Sequence, residues 1–174
     1  MLLAGAALLL LGITGYVVFV SGDGRKSAAR HQASERPRPQ PSAAVPVPCV
    51  PSVLSIAART PQKGYPIGRQ PDLEIQVMNT GSRPCVVDLS DRQIELLVYN
   101  GESRVWSSHD CAMQPGGRPL TLAPRQVANR SIRWMGLTSQ PHCAGRRQRV
   151  GAGNYTLRAR LGQTDGHPTM FSIG

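Results

Sequence analysis

Four cysteines, two of them next to histidines, are the residues of this chain whose types could do chemistry. They are Cys49, Cys85, His109, Cys111, His142 and Cys143. If the loops that carry His109-Asp110-Cys111 and His142-Cys143 met, two imidazoles and two thiolates would lie within reach of one zinc or copper ion. The spacing matches no established zinc pattern, however, and the thiols of exported proteins oxidise. We therefore predict disulfides, with both histidines as surface neighbours whose replacement leaves stability unchanged, and keep the metal site as the alternative.

The expected strand order selects one of the three possible disulfide connectivities. Strands predicted at residues 53–58 and 73–77 are joined by a loop, so they should pair antiparallel and place Cys49 beside Cys85. Cys111 ends another predicted strand and Cys143 lies in a long loop, and these two regions would meet at one pole of the fold. We predict the links Cys49–Cys85 and Cys111–Cys143. A crossed link would contradict the strand pairing.

The elements that position these cysteines follow from an alternation of apolar and polar residues after Cys49. Strands are predicted at residues 53–58, 73–77, 85–89, 94–99, 104–108, 121–134, 155–161 and 169–173, with a turn at 123–124 and an irregular, bulged alternation after it. Asn100-Gly101 is the strongest hairpin signal. Seven or eight short strands without a helical stripe predict an all-β, immunoglobulin-like antiparallel β-sandwich. Trp106 and Trp134 are expected in its core.

The first 48 residues differ in composition from the rest. Residues 2–20 carry no charge, and a helix of that length would span about 28 Å, close to the hydrocarbon thickness of a bilayer. We predict an N-terminal transmembrane helix (a signal anchor) at 1–20, with a signal peptide cleaved near Gly22 as the alternative. Residues 21–48 are rich in proline and arginine and predict a disordered linker. This leaves residues 49–174 for the β-sandwich domain.

Two features disagree about the side of the membrane on which this domain lies. Arg25, Lys26 and Arg30 follow the apolar segment, and the positive-inside rule alone would place the domain in the cytoplasm. Four cysteines favour an oxidising compartment instead. We give the cysteines more weight, because a basic stretch preceding this sequence would reverse the charge argument. The expectation is a single-pass cell-membrane protein with an extracytoplasmic C-terminal domain.

The chain is strongly basic, with a formal net charge of +10 at pH 7. No RNP, zinc-finger or helix-turn-helix pattern accompanies this charge, and the export signal argues for another compartment, so no nucleic-acid partner is predicted. Arg158 and Arg160 share the outward side of one predicted strand, and Arg130 joins them if its strand is the neighbour. We predict that this stripe binds an anionic cell-surface polymer; the alternative is an ordinary solvated face.

A catalytic constellation is not recognisable in the sequence. It contains no Gly-x-Ser-x-Gly elbow, no His-Glu-x-x-His motif and no phosphate-binding Walker loop. The carboxylates fall in predicted turns or on solvent faces and show no pairing. We therefore predict no enzymatic activity and no cofactor.

Several short motifs match one known type of sandwich. They are Tyr65-Pro-Ile-Gly68, Val77-Met-Asn79-Thr-Gly81, Val105-Trp106-Ser107-Ser108 with Cys111, Leu122-Ala-Pro124, Trp134 and Gly153-Asn-Tyr155-Thr-Leu157. With them the chain resembles the bacterial intracellular-proteinase-inhibitor-like, immunoglobulin-like sandwich carried by actinobacterial-type membrane-anchored proteins. The resemblance implies a fold and a place in the cell envelope. It implies no reactive loop, because inhibition is known for one branch of the fold only. Arg125 departs from the family pattern, which usually has glycine after Pro124.

Three functions are compatible with these expectations. The first is a non-enzymatic envelope adaptor, an anchored sandwich that docks another envelope protein or an anionic polymer by its loops or an edge strand. The alternatives are an inhibitor or modulator of an extracytoplasmic hydrolase, and a metal-handling domain that uses the histidine and cysteine loops. Titration of the protein with hydrolases, anionic polymers and zinc or copper would separate the three.

Overall fold

The structure, a computed structural model, describes residues 47–111 and 113–174. These residues form eleven strands: β1 (Leu54–Arg59), β2 (Gly64–Tyr65), β3 (Asp72–Asn79), β4 (Cys85–Asp88), β5 (Ile94–Asn100), β6 (Ser103–Ser107), β7 (Pro119–Leu122), β8 (Val127–Arg133), β9 (Gly153–Leu161), β10 (Thr164–Asp165) and β11 (Thr169–Ile173). Short 3-10 turns lie at Pro51–Val53 and Pro141–Cys143. The protein is all-β over this part of the chain.

Within the described residues, no helix has the length and apolar character needed to cross a membrane. The predicted transmembrane helix at residues 1–20 and the predicted linker up to residue 46 lie outside these residues. Val47 and Pro48, assigned above to the linker, belong to the folded part, because Pro48 bridges Val86 and the backbone of both Val47 and Cys49 bonds to Val86. The folded part therefore begins at least two residues before the predicted boundary at Cys49.

The first sheet has three antiparallel strands in the order β1-β3-β8. Alternation in β3 is complete: Leu73, Ile75 and Val77 are fully buried, while the residues between them are partly exposed. Strand β1 runs antiparallel to β3, with Leu54 opposite Asn79. This confirms the predicted pairing of the first two long strands, from which the Cys49–Cys85 link was derived.

The second sheet has six strands, five in the order β2-β11-β9-β5-β6 and β10, which folds back on β9. The short β2 runs parallel to β11, so this sheet is not antiparallel throughout, in contrast to the prediction. Asn100-Gly101 begins the tight β5–β6 hairpin, in which Asn100 lies opposite Ser103 and Gly101 has a left-handed φ of 58°. The register of this hairpin shifts between Val98 and Tyr99. A third, two-stranded sheet is formed by β4 and β7.

The two larger sheets enclose one hydrophobic core, as in a β-sandwich. Trp134 is fully buried at its centre, 6.1 Å from the ring of Trp106 and 6.2 Å from that of Phe171. The indole N–H of Trp134 donates to the Leu137 carbonyl at 2.9 Å, which satisfies its one polar atom. Trp106 is 7% exposed. Both tryptophans are thus core residues, as predicted.

Strand β1 has its outer side closed by the segment that follows β10. The His167 N–H donates to the Ile56 carbonyl, and the Ala58 N–H donates to the His167 carbonyl, at 2.8 and 2.7 Å. Gly166 permits this approach, because a Cβ at its position would lie 2.8 Å from the Ile56 carbonyl oxygen. The first sheet is therefore covered at its β1 end.

The segment 121–134 differs from the prediction. It contributes to two strands of different sheets, since β7 pairs with β4 and β8 pairs with β3. The β3–β8 register is continuous from Asp72 opposite Arg133 to Met78 opposite Val127, so the predicted bulge in this strand was wrong. Its irregular alternation has another cause: β8 ends the sheet, and none of its seven residues is fully buried.

The turn between β7 and β8 holds Arg125 in a backbone conformation that favours glycine. Arg125 has a φ of 64°, in the left-handed region that costs a side chain about 1–2 kcal/mol and costs glycine little. Arg125→Gly should therefore stabilise the protein by about 0.5 kcal/mol, after the extra flexibility of glycine in the unfolded chain is subtracted. Thermal unfolding of both proteins measures this. Arg125→Ala, which keeps the strain, is the control and should give no gain.

Candidate binding surface

Both disulfides are present in the predicted pairing. Cys49 and Cys85 have Cα atoms 4.9 Å apart, and Cys111 and Cys143 have Cα atoms 4.8 Å apart. The described residues contain no free cysteine. The second disulfide joins the end of the β6 region to the turn at Pro141–Cys143, so the two loops meet as expected.

His109 is more than a surface neighbour of this disulfide. Its ring Nε2–H lies 2.8 Å from the Asp91 carbonyl and 2.7 Å from the Ile94 carbonyl, so it ties the turn before β5 to the end of β6. His142, in contrast, is exposed, with a left-handed φ of 61°. The prediction that both histidines are surface neighbours without a structural role is wrong for His109, whose side chain is half-buried and hydrogen-bonded to two backbone carbonyls.

This arrangement leaves the predicted metal alternative without its ligands. Cys111 and Cys143 are oxidised and cannot act as thiolates, and His109 already uses its Nε2–H. Across residues 47–111 and 113–174, no three His, Cys, Asp or Glu side chains are placed to hold one ion. Of the four residues named for the metal site, Cys111 and Cys143 form a disulfide and His109 bonds to the backbone, while His142 is exposed.

Asp110 holds the end of β6 through a buried polar network. Its carboxylate is 5% exposed and accepts hydrogen bonds from Arg104 at 2.9 Å, the Ser107 N–H at 3.2 Å and the Ser139 hydroxyl at 2.5 Å. The Ser107 hydroxyl donates to Glu95 at 2.7 Å. The Ser139–Asp110 contact and the bond from the Ser139 N–H to the Val105 carbonyl hold the loop of Ser139 against β6.

The predicted arginine stripe is brought together only in part. Arg158 and Arg160 both lie on β9, but Arg130 lies on β8, which pairs with β3 in the other sheet. Arg130 therefore does not join the other two. The guanidinium of Arg158 stacks over the Tyr99 ring at 4.6 Å. Binding of an anionic polymer by Arg158 and Arg160 stays a prediction.

Arg160 is already compensated by acidic neighbours. It bonds to Asp165 at 2.8 Å and lies 3.4 Å from Glu95. The hydrogen bond to Asp165, with the charges of Asp165 and Glu95, raises the pKa of Arg160. Charge reversal at Arg160 would break these pairs as well as any polymer contact, so Arg158 is the informative position for testing the stripe.

The free side of β8 is a surface that was not predicted from the sequence. No strand of the described residues pairs with β8 on the side away from β3. We call its outward backbone and exposed side chains the β8 edge: Val127, Asn129, Ser131 and Arg133. All four residues are exposed. An unpaired strand of seven residues offers a row of backbone donors and acceptors to another chain.

A groove of about 300 Å³ runs along this edge, between β8 and the end of β6, and we call it the β8–β6 groove. The nearly buried Trp106 and Trp134 lie beneath it, and Met113 and Met135, 41% and 45% exposed, contribute its accessible apolar surface. Its charged lining consists of Asp91, Arg130, Arg133 and Arg147. The groove thus combines apolar surface with an excess of guanidinium groups.

Arg130 and Asp91 form the ion pair at one wall of the groove, with Arg130 Nη2 3.0 Å from Asp91 Oδ1. Burial of Asp91 favours its neutral form, but hydrogen bonds from Arg130 and the Gln114 N–H, with the charges of Arg130 and Arg118, outweigh burial and lower the pKa of Asp91. Arg130 Nε is buried and, among the described residues, has no hydrogen-bond partner. A buried N–H donor that lacks a partner can still form a hydrogen bond with an acceptor that reaches it.

A sequence signal for this surface existed. The weak alternation of residues 127–133 indicates a strand whose inward face is only partly buried, which is typical of an edge. Its place beside the β6 loop could not be read from the sequence, because that place depends on which sheet β8 joins.

Comparisons with known proteins add little to this geometry. No family model and no curated protein matches the chain. Among solved structures it is similar to the β-glucosidase EmGH1 of Erythrobacter marinus, at 15% identity and a TM-score of 0.45, over 70% of this chain and 15% of that one. A β-glucosidase of Listeria innocua gives 8% identity and a TM-score of 0.41, over 70% of this chain and 16% of that one.

A CARDB domain from Pyrococcus furiosus, in complex with di-metal ions, gives 12% identity and a TM-score of 0.35, over 70% of this chain and 87% of that one. This chain spans about 15% of the length of the glucosidases that it matches. Likenesses at these TM-scores carry no argument about its function. The resemblance to the inhibitor-like sandwich stays a prediction.

Proposed function

We propose that this protein is a non-enzymatic adaptor of the cell envelope. In this proposal the N-terminal apolar segment anchors the chain in the cell membrane, and an immunoglobulin-like sandwich outside the cytoplasm docks another envelope protein or an anionic polymer. The observation that carries the proposal is the β8 edge, an exposed strand that none of the described strands pairs on its outer side, beside a groove lined by aromatic, methionine and arginine side chains.

Two further observations support this role. Both disulfides fit a compartment in which thiols oxidise, which agrees with a domain outside the cytoplasm. Several polar groups in the described part that could serve chemistry are engaged in structural contacts: Asp110, Ser107 and Ser139 bond to one another, and His109 bonds to backbone carbonyls. These contacts favour a binding role over a catalytic one.

Photo-crosslinking in intact cells tests the proposal. A benzophenone amino acid is placed in the full chain at Asn129 or Ser131, whose side chains are exposed on the β8 edge, or at the exposed Gln163 as the control. We expect a discrete crosslinked product in the membrane fraction from the two β8 positions and none from Gln163. The side of the membrane is read in the same strain from a reporter fused after Gly174, which should be active only outside the cytoplasm.

Two outcomes would contradict the proposal. A reporter that is active in the cytoplasm would mean that the basic residues after the apolar segment decide the topology and that the argument from the disulfides fails. Equal crosslinking from Gln163 and from the β8 positions would mean that contacts of this domain are unspecific. Crosslinking to a hydrolase would assign the partner to the inhibitor or modulator class instead.

A further inference from the structure

We propose that the β8 edge binds an extended segment of a partner protein as an added β-strand, and that an acidic side chain of this segment enters the β8–β6 groove beside Arg130. The inference rests on the proposed function, because it specifies the partner chemistry of the same surface. Backbone pairing would supply affinity, and the groove would supply specificity for the carboxylate.

The direction of the β8 backbone follows from the hydrogen bonds at the two ends of the β3–β8 pair. The Asn79 N–H donates to the Gln126 carbonyl, and the Trp134 N–H donates to the Pro71 carbonyl. Because the register is continuous between these ends, the even-numbered residues of β8 bond to β3 and the odd-numbered ones direct their N–H and C=O groups outward. The backbone N–H and C=O groups of Asn129 and Ser131 therefore point away from β3 at the centre of the strand, where a partner strand can bond to them.

The groove supplies what an acidic side chain needs. Asp91 is the one carboxylate among its described lining residues, against three guanidinium groups, one of which, that of Arg133, is already paired with Asp72. Asp91 engages Arg130 through Nη2, while Arg130 Nε is buried without an acceptor. Arg147 donates its Nε–H to the Thr138 carbonyl at 3.2 Å and forms no ion pair with a described residue. A second carboxylate would supply an acceptor for Arg130 and balance the charge of Arg147.

A second copy of this chain fits the edge poorly. Antiparallel pairing of two β8 strands over their whole length centres on Arg130 and sets the two Arg130 side chains opposite each other, which is destabilising. A charged side chain that points inward from an edge strand is a common protection against such self-pairing. The same charge attracts an acidic segment, so it discriminates between partners.

The segment that precedes the described residues is also a poor occupant. It carries Arg25, Lys26, Arg30, Arg36 and Arg38 against Asp23 and Glu35. An excess of basic side chains is repelled by a groove that already holds three guanidinium groups. Several prolines between residues 37 and 48 further limit strand pairing, because proline lacks the N–H that a ladder requires. The charges therefore favour a foreign acidic segment.

Selection of peptides by the full chain tests the inference. The protein is purified in detergent and panned against random twelve-residue peptides displayed on phage. The selected peptides, called winners below, are then synthesised, and their dissociation constants are measured by fluorescence polarisation at about 150 mM salt. We expect winners with alternating apolar residues and an Asp or Glu at one fixed position. Replacing that acidic residue by its amide should weaken binding about tenfold.

Three substitutions test the backbone pairing and the contact with the carboxylate separately. Ser131→Pro removes one outward N–H and leaves the β3–β8 bonds in place, and should weaken binding about tenfold. Arg130→Gln should weaken the acidic winner about tenfold but its amide version much less, because only the carboxylate uses the charge. Arg59→Gln removes the same charge from an exposed arginine on β1, at the opposite end of the sheet, so it is the matched control and should change nothing. Hydrogen exchange on the unmodified chain should show the amides of Asn129 and Ser131 protected on binding, which needs no variant to fold.

The inference is overturned if panning enriches no peptide, if winners carry no acidic position, or if Asn129 and Ser131 gain no protection. It is also overturned if poly-L-glutamate binds as tightly as the winners and Ser131→Pro leaves that binding unchanged, since the partner would then be a polymer. Failure here is distinct from failure of the proposed function. Crosslinks from the β8 positions in cells would still support an adaptor that docks by side-chain contacts.

Discussion

Replacing Cys49 and Cys85 together by alanine is expected to lower the free energy of unfolding by about 2–5 kcal/mol, the usual loss for a native disulfide in a small exported domain. For a folded part of this size the melting temperature should fall by about 10–20 °C. The link spans a sequence separation of 36 residues, so its loss returns considerable freedom to the unfolded chain. It also releases the segment at Pro48 that pairs with Val86 of β4.

The second disulfide provides the matched control. Cys111–Cys143 spans 32 residues, so the chain-entropy argument gives both links nearly the same effect. Cys85 is buried in the protein, whereas Cys143 is exposed. We therefore expect the Cys49/Cys85 double variant to unfold at the lower temperature in circular-dichroism melts. Equal losses would assign the effect to entropy alone, and a wild-type melt that is unchanged by reduction would contradict a stabilising role for either link.

The disulfides could be predicted because they depend on local order along the chain. Alternation in residues 73–77 identified β3, and the loop that joins β1 to β3 implied antiparallel pairing, which placed Cys49 beside Cys85. Each step used neighbours in sequence. The hairpin at Asn100-Gly101 was predictable for the same reason, since its turn holds Gly101 at a left-handed φ of 58° that glycine tolerates.

The position of Arg130 could not be predicted in this way. Alternation identifies a strand, but it does not tell which sheet the strand joins, and the turn at Ala123–Gln126 transfers the chain from β7 in one sheet to β8 in another. Arg130 was therefore expected beside Arg158 and instead lies opposite Ile75. The β8–β6 groove depends on the same crossover, so it was missed for the same physical reason.

The role of His109 could not be predicted from the sequence for a different reason. Its partners are the backbone carbonyls of Asp91 and Ile94, and every residue has a carbonyl, so no side-chain pattern marks them. Asp110 was likewise treated as a turn residue. Its burial arises because the loop with Ser139 folds over β6, where the Ser139 N–H donates to the Val105 carbonyl.

Arg104→Met is expected to destabilise the protein by about 2–3 kcal/mol, because it leaves the buried Asp110 carboxylate without its counter-charge. The Arg104 Nη1 group lies 2.9 Å from both Asp110 oxygens, and Asp110 is only 5% exposed. Breaking a fully buried pair costs about 3–5 kcal/mol. The side chain of Arg104 is 26% exposed, so water near it reduces this cost to the lower end. Chemical denaturation with urea measures the change.

The Arg133–Asp72 pair supplies the control for this prediction. It has similar geometry, with Arg133 Nε 3.0 Å from Asp72, but its side chains are 66% and 40% exposed. Arg133→Met should therefore change the urea midpoint very little, because solvent already screens this pair. Arg104→Met combined with Asp110→Asn should recover part of the lost stability, since the uncompensated charge is then removed while the contacts with Ser107 and Ser139 can remain. Equal effects of Arg104→Met and Arg133→Met, or no recovery in the double variant, would mean that burial of the Asp110 charge does not govern the stability of the β6 end.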